Sequence, residues 1–214
     1  MNNNGANNIA IIADGCFPVS EYPLSLLRNA NTIICCDNSV VKLIQHTGLI
    51  PDFIVGDMDT MSEENKQHFK DIIREFPDQE TNDLTKAFKF ALTLNPGMIH
   101  ILGATGSRED HTLGNISLLA EYASQFRNTD IVTDFGVFTA HYGSCTIQCT
   151  PGQQVSIFAF DSTLKIKSEG LKYPTDNVIF DLWWKATLNE TCSTEFTLNM
   201  NHPAMILVFR CSHP

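Results

Sequence analysis

Ile9-Ala10-Ile11-Ile12-Ala13-Asp14-Gly15 is the stretch whose reading decides the fold. Five apolar residues run without interruption and stop at an Asp-Gly turn signal. A strand with one wet face alternates apolar and polar residues. An unbroken short run belongs to a strand covered on both faces, as in a parallel sheet. Outward along the chain the pattern returns. Thr32-Ile33-Ile34-Cys35-Cys36 ends at Asp37-Asn38, and Phe53-Ile54-Val55 ends at Gly56-Asp57. Ile99-His100-Ile101-Leu102 and Ile131-Val132-Thr133 read as two further strands.

Helical patterns fall between these strands. Val40–Gln45 is short and amphipathic. Ser62 to Phe76 carries one apolar stripe at Phe69, Ile72, Ile73 and Phe76, with Ser62 placed to cap it. Asp83–Leu94 and His111–Phe126 complete the set. Strand–helix alternation predicts an α/β, mostly parallel αβα domain over residues 1–137. Beyond residue 137 helical periodicity disappears. Tyr142–Thr150, Gln154–Phe160, Leu164–Lys167, Val178–Leu182, Glu195–Leu198 and Met205–Phe209 read as short strands. They predict a smaller C-terminal all-β sandwich domain over 138–214.

The 214 residues carry a formal net charge of −10, which disfavours nucleic-acid or anionic-membrane binding through bulk charge. No run approaches the ~18 apolar residues of a membrane span. The seven cysteines include no C-x-x-C pair, so a zinc ribbon or thioredoxin-type site has little support; reduced thiols and a cytoplasmic location are the expectation.

The acids have an address. Between Asp37 and Asp83 stand eleven Asp/Glu against four Lys/Arg, a local net of −7 in 47 residues. Asp37 follows one strand, Asp57 and Asp59 follow the next, and Asp83 opens a helix. In open α/β sheets, ligands bind beyond the carboxyl ends of the strands. Two acids spaced i, i+2 on an extended segment point the same way, so Asp57 and Asp59 suit one hard cation. Mg²⁺ takes oxygen ligands and commonly one or two carboxylates plus substrate phosphates. A solvated turn is the alternative reading of the same pair.

A second feature is Gly103-Ala104-Thr105-Gly106-Ser107-Arg108-Glu109-Asp110-His111, between a strand and a helix. Its glycines allow close backbone approach, a helix N-terminus favours phosphate, and Arg108 suits bidentate pairing with phosphate oxygens. It is neither a Walker A loop nor G-x-G-x-x-G. Read alone, it is equally an ordinary turn.

In combination these segments resemble the thiamine pyrophosphokinase family. The resemblance rests on Cys36-Asp37-Asn38-Ser39, Pro51 to Thr60 (PDFIVGDMDT), Asp78 to Lys86 (DQETNDLTK) and Gly103 to His111. Gly170-Leu171-Lys172-Tyr173-Pro174 and Leu188-Asn189-Glu190 extend it nearly over the whole chain. It implies transfer of the pyrophosphoryl group of ATP to the hydroxyethyl oxygen of thiamine, giving thiamine diphosphate and AMP. Asp37, Asp57, Asp59 and Asp83 would surround Mg²⁺, with Asp57, Asp59, Asp83 and Arg108 catalytic. Asp37, Gly103, Thr105, Gly106, Ser107, Arg108, Asp110 and His111 would bind ATP. Gln79, Asn82, Asn189 and Trp184 would contact thiamine. The family works as a homodimer with thiamine at the subunit interface. Where the family has other residues, this chain carries Asn38, Asn82, Ser107, Leu188 and Trp183-Trp184. On a strand only one of the two Trp side chains would face a ligand. A different Mg²⁺-dependent nucleotide phosphotransferase or hydrolase, or a non-catalytic thiamine or nucleotide sensor, are the other readings.

Overall fold

The computed structural model describes residues 7–77 and 80–212. The chain divides into two compact units. One comprises residues up to 118 with 131–134, the other residues 119–130 with 135 onward.

In the first unit, strands and helices alternate: β1 (Asn7–Ile12), α1 (Glu21–Arg28), β2 (Thr32–Cys36), α2 (Ser39–Thr47), β3 (Phe53–Gly56), α3 (Glu63–Phe69), β4 (Ile73–Glu75), α4 (Asp83–Thr93), β5 (Pro96–Leu102), then α5 (Glu109–Gln125) and β6 (Thr129–Val132). The division between units falls within α5 and β6. Sheet order is β6-β5-β1-β2-β3-β4. The β1/β5, β1/β2, β2/β3 and β3/β4 ladders are all parallel. Ile9, Ala10, Ile11 and Ile12 are each 0% exposed, as an uninterrupted apolar run requires. Because these strands run the same way, the turns after β1, β2, β3 and β5 emerge at one edge of the sheet.

Two stretches of this unit differ from the sequence expectation. The helix expected over Ser62–Phe76 stops at Phe69. Ser62 does cap it, accepting from the Asn65 N–H. After a tight turn closed by Ile72 N–H to the Phe69 carbonyl, Ile73–Glu75 becomes β4. The free edge of β3 is what wins: Ile54 N–H donates to the Ile72 carbonyl and Ile54 registers with Ile73. A ladder to a buried strand outweighs a weak helical stripe, and the β-branched pair Ile72-Ile73 suits it. Helix α1 has no counterpart in the sequence reading. Its N-cap Ser20 makes no side-chain capping bond. The approach is pinned from far along the chain by Asp134, whose carboxylate accepts from the N–H groups of Val19 and Ser20.

The second unit holds two antiparallel sheets. One has the order β11-β9-β13-β7, with β7 (Gly136–Tyr142), β9 (Gln154–Ala159), β11 (Asn189–Glu190) and β13 (Met205–Cys211). The other has the order β10-β12-β8, with β8 (Cys145–Gln148), β10 (Ile166–Glu169) and β12 (Glu195–Met200). Val155, Ile157, Ile206 and Val208 from the first share one core with Ile147, Ile166, Phe196 and Leu198 from the second. That is a sandwich. The strand expected at Val178–Leu182 does not form. Phe180 and Ala186 anchor the segment in the core, and the chain between turns through a 3₁₀ helix at Trp183–Ala186. The two tryptophans therefore sit on a helical turn, where strand alternation does not apply.

Among the described residues no helix is long and apolar enough to cross a membrane. All seven cysteines are unpaired.

Candidate active site

The acid cluster forms at the carboxyl edge of the parallel sheet. Asp37 sits directly after β2 in the left-handed region, at φ 40°. Its N–H still donates to the Val55 carbonyl at 3.0 Å, so the β2/β3 ladder reaches as far as the acid itself. Asp57 follows β3. Asp83 is the first residue of α4, where the helix dipole favours a carboxylate. One oxygen from each of Asp37, Asp57 and Asp83 lies within 4.8 Å of the others. Gly56 makes this closeness feasible. A Cβ there would stand 3.1 Å from Asp37 Cβ and 3.2 Å from Asp83 Oδ1.

Asp59 does not belong to this trio. Extended geometry was the reason to expect it, and Met58 breaks that geometry at φ 61°. The Asp59 N–H folds back onto Asp57 Oδ1 at 3.3 Å, and the two carboxylates interact with each other.

Electrostatics follow from the crowding. Asp37 is 4% exposed, and Thr60 Oγ1 donates to its Oδ2 at 2.8 Å. Its buried Oδ1 has no hydrogen-bond partner. Burial, then the charges of Asp83, Asp57 and Asp59, raise its pKa against the opposing Thr60 bond. Asp57 is held low, first by its hydrogen bond from Lys86. Asp59 is raised by its bond to Asp57 and by that residue's charge. Lys86 is the cation bonded to this acid cluster. Its Nζ lies 2.8 Å from Asp57 Oδ2 and 3.1 Å from Asp83 Oδ1. Burial pulls its pKa down, and the bonds to Asp57 and Asp83 raise it above the ordinary lysine value.

The glycine-rich turn stands across the same edge. Gly103, Gly106 and Ser107 take φ of 65°, 77° and 64°. The turn is braced against the loop after β1: Gly15 N–H donates to the Gly103 carbonyl and Cys16 N–H to the Thr105 carbonyl, both at 2.8 Å. Thr112 Oγ1 accepts from Gly106 N–H at 2.9 Å and closes the turn onto α5. Arg108 pairs with Asp110 in a fork, Nε to Oδ1 at 3.1 Å and Nη2 to Oδ2 at 2.6 Å. Arg108 and the His111 N–H together hold the Asp110 carboxyl down to about 2.

A cleft of about 490 Å³ lies between turn and acids. Asp37, Asn82, Asp83, Gly106, Ser107, Arg108 and His111 line it, as expected residues; Asp14, Lys42, Thr60 and Asn115 line it without having been expected. Gly103, Thr105, Asp57, Asp59 and Asp110 stand outside its wall. Asn82 caps α4, its Oδ1 accepting from Thr85 N–H at 2.9 Å. Gln79 lies outside the described residues.

Two expected residues belong to the second unit. Asn189 is 5% exposed and its amide is committed to the backbone of Tyr173. Oδ1 accepts from Tyr173 N–H at 3.1 Å, and Nδ2 donates to the Tyr173 carbonyl at 2.7 Å. Trp184 is 68% exposed, while its neighbour Trp183 packs edge-on against Phe158 and Phe160. Lys86, like Asp14, Lys42, Thr60 and Asn115, is a site residue that sequence reasoning missed. For Lys86 the available signal was its i, i+3 spacing from Asp83 at a helix start.

Fold and cleft define a class: an α/β chain that carries an acidic cleft and a glycine-rich turn where parallel-sheet proteins bind ligands. Residues 24–133 match the family model described as "Thiamin pyrophosphokinase, catalytic domain", and residues 136–209 match "Thiamin pyrophosphokinase, substrate-binding domain". The chain belongs to the thiamin pyrophosphokinase family. A rice relative, thiamine pyrophosphokinase 1, is 38% identical over 84 residues, 35% of this chain and 32% of the relative. The Bacillus subtilis thiamine pyrophosphokinase is 34% identical over 87 residues, 39% of this chain and 40% of the relative. These matched stretches thus span about a third to two fifths of the relatives' length. The crystal structure of thiamine pyrophosphokinase from Bacillus subtilis shares the fold, with a TM-score of 0.76 at 22% identity over 97% of this chain and 100% of that one. So does the Candida albicans thiamin pyrophosphokinase, with a TM-score of 0.75 at 18% identity over 97% and 90%.

Proposed function

We propose that this chain transfers the pyrophosphoryl group of ATP to the hydroxyethyl oxygen of thiamine, releasing thiamine diphosphate and AMP. The observation that carries the reading is the closure of Asp37, Asp57 and Asp83 to within 4.8 Å beside the glycine-rich turn, in a chain of this family. The residues fit a divalent cation. Asp37 offers a buried oxygen with no hydrogen-bond partner, and Gly56 leaves room for the carboxylates to converge. Three hard oxygen donors suit Mg²⁺, which when bound would neutralise charge on the polyphosphate. Asp37, Asp57 and Asp83 would hold it.

The chain's own residues do the rest by positioning. The backbone of Ser107, with Arg108, receives phosphate oxygens at the start of α5. Arg108 exchanges its Asp110 partner for phosphate in doing so, and Asp110 keeps the guanidinium oriented beforehand. Asp83 lines the cleft at the start of α4 and accepts the proton as the thiamine hydroxyl oxygen bonds to the β-phosphorus. The α–β bridging oxygen leaves with AMP. We assign the enzyme to the cytosol on its unpaired cysteines, and to a homodimer on family grounds; sedimentation at twice the chain mass is the expected result for the latter.

Purified protein incubated with ATP, Mg²⁺ and thiamine is expected to yield AMP and thiamine diphosphate in equal amounts. ADP or inorganic phosphate as product would replace this reading with another phosphotransferase or a hydrolase. Binding of both substrates without turnover would make the chain a sensor.

A further inference from the structure

We infer that Lys86 is a resident counter-cation of the acid site, and that it keeps the site from holding a bare divalent cation, so that the cation enters as its complex with the polyphosphate. The inference rests on the proposed function and deepens it by giving Lys86 a part in setting how weakly the acids hold bare metal.

The geometry is specific. Lys86 follows Asp83 by three residues in the first turn of α4, so its side chain shares the face of Asp83. It is 4% exposed, which is exceptional for a lysine and is sustained here by two carboxylates. Its ammonium takes one oxygen of Asp57 and one of Asp83, two of the three acids that converge. Those oxygens are committed before any ligand arrives. Asp37 is the member it does not touch, and Asp37 is the one left with an unpartnered buried oxygen.

Charge decides the consequence. Two of the three converging carboxylates already share one internal cation. A divalent ion drawn to them meets that positive charge at close range. Even at the dielectric constant of water, a unit charge about 5 Å from a divalent ion changes its binding by more than about tenfold. A polyphosphate brings the missing negative charge with the metal. Removing the lysine charge therefore tightens binding of the bare ion, whereas mere loss of a structural contact would scatter the carboxylates and weaken it. The two roles predict opposite signs.

The test is Mn²⁺ binding to the purified chain without nucleotide, followed by the loss of the free-ion paramagnetic resonance signal. Lys86→Met and Lys86→Gln are each expected to bind Mn²⁺ at least tenfold more tightly than wild type. Lys86→Arg, which keeps the charge, stays within about threefold of wild type. The Gln variant can still hydrogen-bond both carboxylates and covers the case in which the Met variant does not fold. Neutral variants that bind Mn²⁺ no more tightly than wild type would overturn the inference. The readout is independent of turnover. Tightening in a chain that makes no thiamine diphosphate would retain the counter-cation and remove the activity, and turnover without tightening would do the reverse.

Discussion

Asp37 is the residue in which the conflict between stability and function is most concentrated. It is buried, its backbone is left-handed, one carboxylate oxygen lacks a partner, and Asp57, Asp59 and Asp83 all repel it. Strain and unpaired polar atoms of this kind collect at working sites. Asp37→Asn relieves the charge while keeping the shape and the bond from Thr60. We expect its thermal unfolding midpoint to rise or hold while turnover falls by at least about 100-fold. A variant less stable than wild type would show that the carboxylate is structural. Asp37, Asp57 and Asp83 were legible in the sequence because each closes a strand or opens a helix. Asp59 stands outside the converging trio because the i, i+2 rule assumes extended backbone. No pattern announces that Met58 is left-handed.

At the scale of elements, the site depends on how loops brace one another. The turn after β5 rests on the loop after β1, and Gly15 is the contact. A Cβ at Gly15 would fall 2.4 Å from the Gly103 carbonyl oxygen and 2.6 Å from that of Thr105. Both obstacles are backbone, so Gly15→Ala must part the two loops. The expected outcome is a loss of nucleotide affinity by at least about tenfold, read by calorimetric titration, with roughly 1–3 kcal/mol lost from stability. Asn82→Ala removes the α4 cap and is expected to cost about 1 kcal/mol in chemical denaturation. A cost near zero would mean that the Thr85 N–H finds another partner. Most elements could be read from pattern, since buried parallel strands and amphipathic helices carry their environment in their composition. Helix α1 and strand β4 were not readable. One is anchored by Asp134, over a hundred residues away, and the other by the free edge of β3.

Taken whole, the chain's net charge of −10 is concentrated in one stretch of sequence, since −7 of it falls between Asp37 and Asp83. The second unit adds a different titration. His141 on β7 is hydrogen-bonded to Thr139, and burial, with the charges of Arg127 and Arg210, lowers its pKa from 6.5 to about 4. The unfolded chain binds this proton from about pH 6.5 downward, while the folded chain refuses it until about 4. Across that window the unfolded state holds more protons, so stability falls as pH falls, and this contribution levels off below about 4. We expect the unfolding midpoint of the wild type to drop more steeply between pH 6.5 and 4 than that of His141→Gln. Parallel slopes would show that His141 titrates normally.

By itself the sequence determined the α/β order of the first unit, the β character of the second, the family and the location of the acids. Each of these is written in local terms: runs of apolar residues, turn residues and short motifs. Tertiary structure alone decided which carboxylates converge, that Lys86 stands between two of them, that Asp59 turns aside, and that Asn189 spends its amide on the backbone of Tyr173. The physical reason is common to all four. Each depends on distances between residues brought together by the sheets and their turns, and on backbone angles at single positions. A motif names the residue but does not carry its coordinates.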